Sequence, residues 1–127
     1  MKEHPSQPNY PDLFSGSNQG VTNDALPPHT FSTDNLGSEL IKKKLTFGGY
    51  SENLPSVGYT GAKYASSLFS WDRGYARKHN PWVNFNNLPA VVNMPLSSFP
   101  KDYAALPTVS FVIPNLQHDM HDGSING

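Results

Sequence analysis

The chain has 127 residues, of which nine are Lys or Arg and ten are Asp or Glu, and its formal charge is −1. This length predicts one domain, and the near-neutral charge gives no basic surface for a nucleic-acid partner. The absence of cysteine excludes disulfides, thiolate metal sites and a cysteine nucleophile. Twelve prolines and ten glycines predict many loops and short elements. No apolar stretch approaches the roughly 20 residues of a membrane span.

The first predicted element is a short helix over residues 9–14, ended by Gly16. Pro8 and Pro11 are tolerated in the first turn of a helix but not deeper, which fits this placement. Ser6 then lies just before the helix N-terminus, where unpaired N–H groups favour an anion. Its hydroxyl is either a nucleophile whose developing alkoxide is stabilised there or a simple helix N-cap.

A loop over residues 18–31 leads to a second predicted helix, with Thr33 or Asp34 as its cap. The apolar residues that fall near helical spacing are Leu36, Leu40, Ile41 and Leu45. The three lysines at 42–44 complement the negative end of this helix. They indicate a solvated face, with a phosphate site as the weaker alternative. A short strand over residues 46–50 follows, which gives half of a βαβ unit.

A basic cluster comes next, where Arg77, Lys78 and His79 precede Trp82. A guanidinium fork, a point charge and an imidazole together suit a phosphate group. Composition alone favours the other interpretation, a surface turn anchored by Trp82 and Phe85.

The last predicted strand covers residues 108–113, in which five of six residues are β-branched or aromatic. Such a run is typical of a strand buried on both faces of a parallel sheet. The residues that follow it within a short loop are His118, Asp119, His121 and Asp122. Because sites in open α/β sheets collect past the carboxyl ends of strands, this cluster is either a functional site or an ordinary polar loop.

The remaining stretches complete the predicted architecture. Residues 51–73 and 86–100 are predicted as irregular structure, and residues 101–106 as one helical turn. The residues therefore predict an α/β fold with long loops, whose mostly parallel sheet is built on strands 46–50 and 108–113.

Four stretches, in this order, resemble the bacterial and fungal acid phosphatases of the phosphoesterase family, within the alkaline-phosphatase superfamily. They are His4-Pro-Ser-Gln-Pro-Asn-Tyr10 with the segment to Ser17, Asn35 to Glu52, Tyr75-Ala-Arg-Lys-His-Asn-Pro-Trp82, and Val112 to Asp122. The resemblance covers nearly the whole chain. It implies a three-layer, alkaline-phosphatase-like α/β fold with an incomplete, mostly parallel sheet.

The resemblance also implies catalytic roles for Ser6 and His121. Ser6 precedes a Pro-Asn pair, as the superfamily's Ser/Thr nucleophile does, and would form a phosphoseryl intermediate. His121 would contact the phosphate or protonate the leaving oxygen. The residues implied to bind substrate are Asn9, Lys78, His79 and Asp119. A divalent metal ion of unknown identity would contact Ser6 and Asp122 and lower the pKa of the hydroxyl.

By the same resemblance, residues 1–127 form a single partial phosphoesterase domain that lacks the family's N-terminal and C-terminal metal-ligand segments. The expected function is an acid phosphatase segment acting on a small phosphomonoester or a phosphoinositide. The alternative is a non-catalytic truncated remnant with at most weak phosphate binding. A third hypothesis, independent of the family, is an extracellular binding module that uses Trp71, Trp82 and the six tyrosines.

The family also implies a secreted or periplasmic protein, although the polar residues 1–5 do not resemble a signal peptide. Sheet edges left without neighbouring strands predict marginal stability or self-association.

Overall fold

The structure, a computed structural model, describes residues 2–28, 31–65 and 73–121. A three-stranded parallel sheet lies at its centre, with short helices and loops around it. The described α-helices are α1 (Asn9–Ser15) and α2 (Leu36–Lys42). The described strands are β1 (Phe47–Ser51), β2 (Lys63–Tyr64), β3 (Tyr75–Ala76), β4 (Asn93–Pro95) and β5 (Val109–Ile113). This arrangement confirms the predicted α/β class with a small parallel sheet.

Both helices lie where the sequence predicts them. Helix α1 ends at Gly16, which adopts the left-handed conformation with φ of 72°. Helix α2 differs in its cap, because Asn35 rather than Thr33 or Asp34 is the N-cap residue. The Asn35 side chain accepts a hydrogen bond from the Ser38 N–H at 2.9 Å, and the Ser38 hydroxyl accepts one from the Asn35 N–H at 2.9 Å. This reciprocal pair satisfies two N–H groups at once and fixes the start of the helix.

The central sheet has the order β4–β1–β5, and both pairings are parallel. All five residues of β1 are buried. The prediction that the strand at 108–113 is buried on both faces is wrong, because β5 is an edge strand of the described sheet and its Val112 is 49% exposed. Strand β4 was not predicted, because it lies in a stretch whose prolines indicate a loop. Proline at the end of this strand is compatible with a position at the sheet edge.

An aromatic core fixes α1 on the sheet. The Phe14 ring of α1 lies 5.3 Å from the Phe47 ring of β1 and 5.6 Å from the Phe85 ring, measured between centroids. Trp82 covers β1 at Gly49, where a Cβ would lie 2.3 Å from the indole ring. Because edge-to-face aromatic pairs stabilise beyond their buried area, this cluster holds α1 and the residues around Trp82 in fixed positions.

Strands β2 and β3 pair antiparallel, and β3 leads directly into a 3₁₀ turn at Arg77–His79. The Arg77 guanidinium is buried and donates to Asn84 Oδ1 at 2.6 Å and to the Thr60 carbonyl at 3.1 Å. At the end of β1, the Ser51 hydroxyl donates to Asn80 Oδ1 at 2.5 Å. The turn predicted to lie at the surface is therefore anchored in the protein interior from two sides.

The exposed lysines and the helix lengths agree with two further predictions. Lys42, Lys43 and Lys44 are exposed, and Lys42 pairs with Asp34 and Glu39, which confirms the solvated face. Each described α-helix has seven residues, and no described helix is long enough to cross a bilayer.

Two of the aromatic residues assigned to a binding surface, Trp82 and Tyr75, do not lie at the surface. Trp82 and Tyr75 are each 1% exposed and belong to the interior. Trp71 lies outside the described residues. Core packing therefore accounts for these two aromatic side chains, as it does for most scattered aromatics.

Candidate active site

Ser6 lies in the turn that leads into α1, two residues before the N-cap residue Pro8. Its carbonyl accepts hydrogen bonds from the Asn9 N–H at 3.2 Å and from Asn9 Nδ2 at 3.1 Å. The interpretation of Ser6 as a helix N-cap is wrong, because Pro8 occupies that position and α1 has no side-chain cap. The Ser6 hydroxyl is buried, and Oγ has no hydrogen-bond partner within the part of the chain that the structure describes. A buried hydroxyl without a partner is unfavourable, so this atom is a candidate for contact with a substrate.

The Asn9 side chain, which is predicted to bind substrate, shapes the turn around Ser6. Its Oδ1 accepts from the backbone N–H groups of Lys2 and Glu3 at 2.8 and 2.9 Å, and its Nδ2 donates to the Glu3 carbonyl at 2.9 Å. These bonds hold the N-terminal segment against α1. A direct role for Asn9 in substrate binding stays a prediction.

Asp24 joins the residue after Ser6 to Lys78. The carboxylate accepts a hydrogen bond from the Gln7 N–H through Oδ1 at 3.1 Å, and Lys78 Nζ lies 2.8 Å from Oδ2. Burial raises the pKa of Asp24, but the hydrogen bonds from Lys78 and Gln7 outweigh it and hold this pKa below its usual value. Lys78, a predicted phosphate contact, therefore lies close to the Ser6 turn, with its charge partly compensated by Asp24.

Asp24 is a residue that the sequence analysis missed. It stands in a loop as part of an Asn-Asp pair, which has the appearance of ordinary turn chemistry. Its partner Lys78 is 54 residues away in the chain, so no local pattern could have signalled the contact.

His79 lies at the centre of a second group of predicted residues. The residue is 2% exposed. Its ring stacks on the Tyr10 ring of α1, with centroids 4.8 Å apart and an interplanar angle of 22°. His79 Nδ1 lies 3.8 Å from Asp119 Oδ2, and both side chains are buried. The His121 N–H donates to Asp119 Oδ1 at 3.0 Å, while His121 itself is exposed. The structure thus brings His79, Asp119 and the backbone of His121 together beside α1.

The remaining histidine of this loop, His118, has a different partner. Its Nδ1 lies 2.9 Å from both carboxylate oxygens of Glu52, which directly follows β1. Burial raises the pKa of Glu52, but hydrogen bonds from Asn115 and His118 outweigh it and hold this pKa below its usual value. A polar cavity of about 290 Å³ lies beside this pair and includes Arg73 in its wall. The loop after β5 is therefore built around two acid–imidazole pairs and is more than an unstructured polar segment.

The predicted metal site at Ser6 and Asp122 stays a prediction. In residues 2–28, 31–65 and 73–121 no group of three or more His, Asp or Glu side chains could hold a metal ion. Asp122, one of the two residues assigned to the metal, lies outside these ranges.

Comparison with known proteins gives one family. The model of the phosphoesterase family matches residues 2–127. The phosphatidylinositol-3-phosphatase of Mycobacterium tuberculosis is 50% identical to this chain over 124 residues, which are 96% of this chain and 39% of that protein. The phosphate-repressible acid phosphatase of Penicillium chrysogenum is 33% identical over 129 residues, covering 96% of this chain and 31% of that protein. The acid phosphatase of Aspergillus fumigatus is 34% identical over 131 residues, covering 96% and 29%.

This chain thus spans between 29% and 39% of the length of these three relatives. No solved structure matches it. The match to the family covers the Ser6 turn, the basic turn at Arg77–His79 and the loop after β5 in one alignment. The chain belongs to the phosphoesterase family.

Proposed function

We propose that this chain carries the phosphoryl-transfer site of a phosphomonoester hydrolase of the acid phosphatase type, with Ser6 as nucleophile. The observation that carries the proposal is the buried Ser6 Oγ, which has no hydrogen-bond partner among the described residues. The next residue, Gln7, is linked through Asp24 to the Lys78 ammonium. The reaction class follows from the family and from the names of the relatives.

In the proposed reaction, Ser6 Oγ attacks the phosphorus in line, and the bond from phosphorus to the leaving alcohol breaks. His79 takes the hydroxyl proton, and the Asp119 carboxylate stabilises the imidazolium that forms. Lys78 compensates the charge on the phosphoryl oxygens, which is most of what phosphoryl transfer requires of a protein. His121 gives a proton to the leaving oxygen. Water then attacks the phosphorus of the phosphoserine and gives a proton to His121, while His79 returns its proton to Ser6 Oγ as the bond from phosphorus to Oγ breaks. These steps release inorganic phosphate and restore both histidines and Ser6.

The test is the hydrolysis of an aryl phosphate by the chain and by its Ser6→Ala variant. We expect Ser6→Ala to lower kcat by about 10³-fold or more, because a nucleophile cannot be replaced by a methyl group. Ser97→Ala is the matched control, because Ser97 is exposed, and it should leave the rate unchanged. Mass spectrometry of acid-quenched protein should find one added phosphoryl group on Ser6. Equal rates for Ser6→Ala and the parent chain would remove Ser6 from the mechanism.

A divalent metal ion at Ser6 and Asp122 stays a separate proposal, and no step above depends on it. When bound, such an ion would lower the pKa of a hydroxyl or water. Activity that is lost in EDTA and restored by one divalent ion would support the metal. Activity that is unaffected by EDTA would remove it.

The second candidate function is phosphate binding without turnover. Two observations favour it: the Lys78 ammonium already pairs with Asp24, and the described residues form no metal-binding group. Calorimetric titration with inorganic phosphate, with and without metal ions, would detect such binding. Turnover of the aryl phosphate by this chain alone would exclude the alternative.

The substrate proposal includes small phosphomonoesters and phosphoinositides, the latter because one relative is named a phosphatidylinositol-3-phosphatase. Parallel assays with an aryl phosphate and a short-chain phosphatidylinositol 3-phosphate would separate the two. A secreted or periplasmic location rests on the family resemblance and is tested by fractionation of the source cells.

A further inference from the structure

We propose that Asp24 makes the site selective for the protonated, monoanionic form of the phosphoryl group, by accepting a hydrogen bond from its P–OH. The inference rests on the proposed phosphoryl site at Ser6 and adds a specificity-determining residue to it. The ligand class is a phosphate monoester, or inorganic phosphate, that retains at least one proton.

Asp24 is held firmly beside the Ser6 turn. Gln7, which is 1% exposed, donates from Nε2 to the carbonyls of Asn23 and Ala25 at 3.2 and 2.6 Å. Its backbone N–H donates to the Asp24 carboxylate itself at 3.1 Å. One buried residue, adjacent to Ser6, therefore fixes the backbone on both sides of Asp24 as well as the side chain. These contacts fix the orientation of the Asp24 carboxylate, so it faces any anion that binds beside it.

The carboxylate retains capacity for a ligand. An ionised carboxylate offers about four lone-pair positions, and each Asp24 oxygen accepts one of the two hydrogen bonds described above. The side chain is 37% exposed. A cavity of about 110 Å³ lies beside it, and Lys63 and Lys78 contribute to its wall. A small anion could therefore reach Asp24 while it contacts the lysine charge.

The charges around Asp24 define which anion is favoured. Lys78 pairs with it, His79 lies within electrostatic reach, and Lys63 lines the same cavity. The two lysines attract a phosphoryl group, whereas the carboxylate repels any oxygen that carries no proton. A fully ionised phosphoryl group presents acceptors only, so it cannot form a hydrogen bond with Asp24.

A monoanionic phosphoryl group keeps a P–OH, which can donate to the carboxylate. The second ionisation of a phosphate monoester lies near pH 6, so the monoanion dominates at acid pH. The pKa of Asp24 lies below its usual value, so the carboxylate stays an ionised acceptor in that range. The Asp24 carboxylate should therefore favour phosphate binding at acidic pH.

The experiment is calorimetric titration of the chain at pH 5 with inorganic phosphate and, separately, with sulfate. The two anions are similar in size and shape, but phosphate keeps P–OH protons at this pH and sulfate keeps none. Sulfate also carries one more negative charge than the phosphate monoanion that dominates at this pH. We expect phosphate to bind about tenfold or more tightly than sulfate, because phosphate gains a charge-assisted hydrogen bond with Asp24 whereas the carboxylate repels sulfate. In Asp24→Asn the amide can donate to either anion, so the ratio should fall to about threefold or less.

Two further variants test whether the carboxylate at position 24 itself causes the preference for phosphate. Asp34→Asn removes a carboxylate that also pairs with a lysine, Lys42, at a distant surface, and should leave the ratio unchanged. Asp24→Glu keeps the carboxylate and should preserve a preference for phosphate. Thermal melts without ligand establish that each variant is folded.

The outcomes distinguish this inference from the proposed function. Binding of neither anion would remove the proposed phosphoryl site and the role of Asp24 with it. Equal binding of phosphate and sulfate by the parent chain would overturn only the selectivity of Asp24, and it requires no variant. A ratio that survives Asp24→Asn would overturn it as well.

Discussion

Replacing Gly49 by alanine should be among the most damaging single changes in the core. Gly49 lies in the central strand β1, and a Cβ at this position would lie 2.3 Å from Trp82 Cε2 and Cζ2. Carbon atoms in contact are normally about 3.5–4.0 Å apart, so either the indole or the strand must move by more than 1 Å. Neither is free to do so. Trp82 Nε1 donates to Asn93 Oδ1 at 2.8 Å, and β1 pairs with a strand on each side.

The magnitude follows from this rigidity. Overpacking a well-ordered core costs typically about 1–3 kcal/mol and occasionally more, and a clash with a hydrogen-bonded indole belongs at the upper end. We expect a loss of about 3 kcal/mol in the free energy of unfolding, or roughly 10 °C in Tm for a chain of this length. Urea unfolding followed by tryptophan fluorescence measures it.

Gly48→Ala is the matched control, one residue away in the same strand. Its Cβ would lie 2.9 Å from the Met94 terminal methyl and from Pro107 Cγ. Both contacts are longer than the 2.3 Å between a Cβ at Gly49 and the indole, and the methionine end is flexible and can yield. Gly48→Ala should therefore cost clearly less than Gly49→Ala. Equal unfolding midpoints for the two variants would refute the claim that Trp82 is locked against β1.

Three further predictions address the site and the sheet. Asp119→Asn should lower kcat toward an aryl phosphate by about 10²-fold or more, because the His79 imidazolium loses its counter-charge, whereas Asp102→Asn, at an exposed position, should not. The folded state holds the pKa of Glu52 below its usual value of about 4.5, so the ionised carboxylate stabilises the fold above that pH. This stabilisation is lost as the pH falls through the lowered pKa of the folded state. Urea midpoints of the parent chain should therefore fall more between pH 5 and pH 3 than those of Glu52→Gln, with Glu39→Gln as control. The exposed face of edge strand β5 predicts association, so sedimentation should show a concentration-dependent mass that Val112→Lys reduces.

Much of the local structure could be predicted from the sequence, because local rules decide it. Prolines tolerated in the first turn, followed by Gly16, were sufficient to predict α1. The short strand after α2 was also expected. The cap of α2 shows the limit, because Thr33, Asp34 and Asn35 are all good cap residues in isolation. Only the reciprocal bonds with Ser38 decide among them.

The order of the strands could not be predicted in the same way. Hydrophobicity favoured the strand at 108–113 as the buried one, yet the fully buried strand of the three-stranded sheet is β1, with its two glycines. Because Gly48 and Gly49 have no side chains, Met94, Pro107 and Trp82 can pack directly on the β1 backbone and cover it. This kind of burial leaves no apolar run in the sequence. Packing partners, rather than the residues of the strand, supply the covering atoms.

The candidate site depends on the pairing of β1 with β5, and this explains how one short loop serves two acid–imidazole pairs. The parallel register places Ser51 opposite Ile113, and the Glu52 N–H donates to the Ile113 carbonyl at 2.9 Å. The chain therefore leaves both strands at the same edge, where His118 reaches Glu52. Asp119, the next residue, faces His79 instead. A shift of one residue in this register would reverse the faces of the strand and separate both pairs at once, so the sheet and the proposed chemistry should be lost together.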